Sequence, residues 1–167
     1  GGLHIEAAGL GTTPQGHIAV DENFRTSVPH IYAAGDVIGP PSLAATSMEQ
    51  GRRAARHALG LPVDDLSPVT PVGIYTIPEM ASVGLTEAQA IERCGGAHVG
   101  RARFRELARG QICGDVAGLL KLVANPGDGR LLGAHIVGEG ATELIHVAQM
   151  ALLAGLKTDS FIDTIFN

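Results

Sequence analysis

His30-Ile-Tyr-Ala-Ala-Gly35-Asp36, continuing through Val37-Ile38-Gly39-Pro40-Pro41 into Ser42-Leu43-Ala44-Ala45, governs the reading of the first third of this chain. A short apolar run bounded by turn residues reads as a strand. It ends in Gly35, which permits a sharp turn, and Asp36 lands beyond the strand's carboxyl end. In open α/β sheets that is where ligands bind. Two prolines then bar backward extension of a helix that Ser42 can cap, with apolar positions recurring from Leu43 to Leu59. The free N–H groups at its start favour negative charge nearby. Strand, carboxylate and helix terminus together suit a polyol-bearing, electron-accepting ring. On the residues alone, a Gly-Asp after a strand is more often an ordinary turn.

Working outward, Gly16–Val20 reads as a second short strand. Residues 60–71 hold three prolines and little periodicity, so they read as a connection. The expected organisation is one unit over 1–61, a linker over 62–71 and a second unit over 72–167. The second unit mixes strands near 73–76, 81–84, 98–104, 119–124 and 131–137 with helices over 87–93 and from 140 or 141 to about 155. Thr86 and Thr158 are candidate caps, and Asn125-Pro-Gly-Asp-Gly129 is a strong hairpin turn. The helix from Ala141 is apolar almost all round, so it needs cover on more than one face. On this pattern, a charge at Ala148 or Leu152 is expected to weaken a subunit contact.

Composition narrows the classes. The 167 residues are 45% hydrophobic and 17% charged, which is a folding composition. Net charge is −5 and no Lys/Arg run exceeds two residues, which argues against nucleic acid as a partner. No apolar stretch is long enough to span a bilayer. Cys94 and Cys113 form no CxxC or CxxxxC, so they read as buried or inert thiols of a reducing cytoplasm. The seven histidines (4, 17, 30, 57, 98, 135 and 146) show no paired metal spacing, and no metal site is expected. Gly9-Leu-Gly11 and Gly138-Glu-Gly140 lack the third glycine of a dinucleotide fingerprint.

Thr26–Asp36, Val37–Pro40, Leu43-Ala44 and Glu49-Gln-Gly-Arg52 together resemble the second flavin motif of the pyridine nucleotide–disulfide oxidoreductase family. Ile74-Tyr-Thr-Ile-Pro-Glu79 through Val83-Gly-Leu-Thr-Glu87, and Gly133-Ala-His-Ile-Val-Gly138 with the helix after it, resemble that family's dimerisation domain. The resemblance covers essentially the whole chain. It implies an α+β fold: the C-terminal closing segment of an FAD-binding α/β domain, followed by a dimerisation domain with a mostly antiparallel sheet, truncated at its C-terminus. It implies FAD as cofactor, with Gly35 and Asp36 at the ribitol and Leu43, Ala44 and Ala45 lining the isoalloxazine. It also implies a homodimer through residues 72–167.

Gly73-Ile-Tyr-Thr-Ile-Pro-Glu79, Gly100-Arg-Ala-Arg-Phe104, Leu107-Ala-Arg-Gly-Gln-Ile112, Gly138–His146 and Asp163–Asn167 resemble the family's soluble transhydrogenase branch. That branch moves hydride between NADPH and NAD. Ala45 stands where dihydrolipoyl dehydrogenases usually carry His. A disulfide oxidoreductase of that kind remains the alternative enzyme, and a non-catalytic dimerisation module the alternative outside enzymology. The first FAD motif, the nicotinamide-binding domain and a CxxxxC are not in these residues, so the chain reads as a fragment. None of its residues is expected to be a catalytic acid or base.

Overall fold

The computed structural model describes residues 4–64 and 69–165, in two compact units, Gly1–Leu66 and Ser67–Asn167. The connection expected over 62–71 falls partly on 65–68, and the last motif partly on 166–167, outside the described residues.

The first unit is loop-rich, with one helix, α1 (Ala44–Ala58). Its turns are fixed by local polar bonds. Asp21 Oδ1 accepts from the N–H of Asn23 and of Arg25, both at 2.9 Å. Thr26 Oγ1 accepts from Val28 N–H at 3.1 Å and donates to Ile31 O at 2.9 Å. The strands expected at 16–20 and 30–34 are reduced to the isolated bridges Thr12↔Ile18 and Arg25↔Tyr32. A ladder needs neighbouring strands, and the described residues of this unit supply only a helix, short turns and isolated bridges. Ser42 does not cap α1. Leu43 occupies that position, and its side chain offers the first N–H groups of the helix no acceptor.

The second unit is α+β. Five antiparallel strands, β1 (Val72–Ile74), β2 (Met80–Gly84), β3 (His98–Arg103), β4 (Leu119–Ala124) and β5 (Leu131–Val137), lie in the order β1-β2-β5-β4-β3. The helices are α2 (Glu87–Cys94), α3 (Ala108–Cys113), α4 (Ala141–Leu153) and α5 (Asp159–Ile162). The β4–β5 turn forms as its residues demand. Asn125 Oδ1 accepts from Gly127 N–H at 2.7 Å, and Gly129 takes the left-handed φ of 73°. Thr86 caps α2 in a reciprocal box with Gln89. Thr158 makes no cap; its hydroxyl donates to Gly129 O instead. The short helix α3 and the 3₁₀ turn Phe104–Glu106 are additions to the sequence-based expectation.

The core lies between α4 and one face of the sheet: Ala81, Val83, Leu131, Ala134 and Ile136 meet Ala141, Ile145, Ala148 and Ala151. Helix and sheet approach closely because so many of these side chains are alanine. Backbones also close up at a pair of facing glycines. Gly84 and Gly133 are register partners across β2 and β5, where Leu85 N–H donates to Leu132 O at 2.8 Å. A Cβ on Gly133 would lie 2.0 Å from Leu85 O, so only glycine fits.

Gly140, at the start of α4, has no side chain to cap with. Glu79, just before β2, supplies the missing acceptor: its Oε2 takes the Thr142 hydroxyl at 2.7 Å and the Thr142 N–H at 3.1 Å. Those two bonds, the hydroxyl first, hold its carboxyl below the ordinary 4.5. A depressed carboxyl contributes stability that is complete above its unfolded value and is lost as pH falls through the folded one. Glu79→Gln should therefore unfold at lower denaturant than the parent near neutrality, with the gap closing as pH drops below 4.5. Unfolding midpoints across pH test this; a gap that stays constant into acid would refute it.

Candidate functional site

In the first unit the Gly-Asp turn is anchored from α1. Gly35 N–H donates to Gln50 Oε1 at 2.7 Å, and Gln50 is buried on the helix's inner side. Gly35 takes φ 82°, and a Cβ there would press on Ser47 Oγ at 3.2 Å. Asp36 follows as the first residue of a 3₁₀ turn, Asp36–Ile38, with its side chain exposed. Val37 O accepts from Ile18 N–H at 2.9 Å, which ties this turn to the preceding loop. Gly39, at φ 98°, lies against the His17 ring with no room for a Cβ.

At the helix start Leu43 is half-buried, while Ala44 and Ala45 are exposed. The first-turn N–H groups of α1 carry no side-chain cap, so they remain available to an acceptor from outside. The chain thus presents an exposed carboxylate, a glycine turn without space for a side chain, and an uncapped helix terminus within ten residues. These are donors and acceptors suited to a polyol and an electron-poor ring.

Gln50 was not among the expected site residues. Its signal is a long polar side chain on the buried stripe of an amphipathic helix, where it must find a partner.

The histidines pair locally. Tyr32 OH lies 2.8 Å from His57 Nδ1, His135 Nε2 lies 3.1 Å from Leu85 O, and His146 Nδ1 lies 2.9 Å from Gln149 Oε1. Among the described residues no group of three His, Cys, Asp or Glu could hold a metal. Of the expectation that Cys94 and Cys113 are buried or inert, burial does not hold: both are exposed, because each ends a helix next to glycine. No helix among the described residues is long and apolar enough to cross a membrane.

In the second unit α4 has two apolar faces. Ala148 faces the unit's own core and Leu152 packs against it, which corrects the sequence-based choice of these two as contact positions. The helical period sends the opposite side outward, where Leu144, Val147, Met150 and Leu153 are 47–63% exposed. Residues three apart form a continuous ridge of the kind that packs into another helix.

Comparison with known proteins places both units. Residues 70–167 match the family described as pyridine nucleotide-disulphide oxidoreductase, dimerisation domain. Residues 2–51 match pyridine nucleotide-disulphide oxidoreductase. Over 165 residues the chain is 50% identical to a soluble pyridine nucleotide transhydrogenase of Mycobacterium tuberculosis, covering 99% of this chain and 35% of that protein. It is 44% identical to a protein of the same name from Hahella chejuensis, covering 99% and 36%. Among solved structures it superposes on an HOCl-induced flavoprotein disulfide reductase from Escherichia coli with TM-score 0.89 and 28% identity, covering 99% and 38%. LpdA from Mycobacterium tuberculosis gives 0.83 and 28%, covering 99% and 36%. The chain spans about a third of the length of the curated relatives it matches.

Proposed function

This chain belongs to the pyridine nucleotide-disulphide oxidoreductase family, and from that premise we propose that it closes the FAD site and forms the dimer of a flavoprotein that moves hydride between NADPH and NAD. The observation that carries the reading is the anchored Gly35 turn, which leaves Asp36 exposed beside an uncapped α1. Asp36 would accept a ribitol hydroxyl, and Gly35 would let the cofactor come close to backbone. Leu43, Ala44 and Ala45 would line the isoalloxazine, with the first-turn N–H groups of α1 aimed at a ring that gains negative charge on reduction. Bound flavin supplies the hydride-accepting and hydride-donating chemistry; these residues hold and orient it. The exchange assigns no acid or base to this chain.

In the whole protein, Asp36→Ala should weaken FAD binding roughly ten- to a hundredfold, the range for a hydrogen bond to a charged group. Flavin titration followed by fluorescence reads this directly. FAD affinity equal to the parent's would reject the ribitol assignment.

The second reading is a dihydrolipoyl dehydrogenase-like disulfide oxidoreductase, favoured by the flavoprotein disulfide reductase among the structural neighbours. Assays of the whole protein separate the two: transfer from NADPH to an NAD analogue supports the first, and NAD(P)H-dependent reduction of a small disulfide supports the second. We further assign the homodimer to residues 72–167 and its contact to the outward ridge of α4. The unpaired, exposed thiols support a cytoplasmic setting.

A further inference from the structure

We propose that the recess between the end of β3 and the segment entering β4 is an anion site that takes a phosphate group. β3 ends at Arg103, and Phe104 and Arg105 follow in the 3₁₀ turn Phe104–Glu106. Phe104 is locked there. Its N–H donates to Gly118 O at 2.8 Å, and its ring lies where a Cβ on Gly118 or Gly138 would stand. The two arginines flank this fixed residue and line a recess of about 250 Å³. Val116, Ala117, Gly118 and Leu119 form its other wall.

Neither Arg103 nor Arg105 has a carboxylate partner among the described residues, and the acids nearby have other partners. Glu106 accepts from the backbone N–H of Arg103 at 3.1 Å. Asp115 accepts from Glu139 N–H at 2.8 Å. Glu87 is shared between Lys121 and Arg101. In addition, the N–H groups of Val116, Ala117 and Gly118, three consecutive residues that line the recess, find no acceptor among the described residues. On a chain of net charge −5, two guanidinium groups without a carboxylate partner among the described residues line one recess, where they favour an anion. Guanidinium forks match the oxygens of a phosphate, and the recess admits that group with part of whatever bears it.

The test is titration of the ¹⁵N-labelled 167-residue chain with inorganic phosphate and, separately, with adenosine monophosphate. Saturable amide shifts confined to 116–118 are expected. Arg103→Gln or Arg105→Gln should each weaken them at least tenfold, while Arg130→Gln leaves them unchanged. Shifts with both probes identify the free ion as sufficient; shifts with the nucleotide alone identify a phosphate ester. No saturable shift with either probe, or shifts that survive both substitutions, would overturn the site.

Discussion

Gly133→Ala is expected to destabilise the second unit by about 3 kcal/mol or more, at or beyond the upper end of ordinary overpacking. The added methyl would sit 2.0 Å from Leu85 O and 2.9 Å from Leu85 N, both backbone atoms that no rotamer change can move aside. Relief requires parting β2 from β5, which lies at the centre of the sheet and faces α4. Against a typical total of 5–15 kcal/mol, that is a large share of what holds a domain together. Gly100→Ala is the control. It lies in β3 of the same sheet, and its Cβ would meet nothing within 4 Å. Urea unfolding should separate the two by a large shift in midpoint; matching midpoints would show that the close approach at Leu85 is not a constraint.

The second large effect is on assembly. Val147→Glu or Met150→Glu should lower dimer affinity on the order of a hundredfold or more, because closing the contact would strip water from an unpaired carboxylate. The same substitutions should leave each protomer's unfolding midpoint nearly unchanged, since both side chains already meet solvent in the single chain. Sedimentation across concentration reads the first effect and circular dichroism the second. Undisturbed dimers of the double variant, or a parent chain that stays monomeric, would remove α4 from the interface. A charge at Ala148 would instead strike the unit's own core and unfold it, a different outcome from different physics.

The contrast between positions 147 and 148 marks how far the sequence could be read. Apolar residues all round 141–153 announced a helix needing two covers, but composition does not tell which side meets its own sheet. That side is the alanine-rich one, where Ala141, Ala148 and Ala151 join Ile145 against β2 and β5. The five strands were legible to within a few residues, since alternation and the Asn125–Gly129 turn are local signals. In the first unit 16–20 and 30–34 looked equally strand-like, yet a ladder depends on neighbours that local pattern cannot supply. Around Gly35 and Asp36, the glycine turn and the start of the helix were readable to within a residue or two. The anchoring of Gly35 by Gln50 was not, because it joins residues fifteen apart through a single side chain.

The order β1-β2-β5-β4-β3 also bears on how this protein is made. β5 is the last of these five strands to leave the ribosome, yet it is the one that joins the two earlier pairs. Until it emerges, β2 and β4 each offer a naked edge, the kind of surface that recruits stray strands. Nascent chains stalled before Leu131 should be the ones that demand chaperones. Because α4 follows β5, the proposed association through that helix would come only after these five strands have paired.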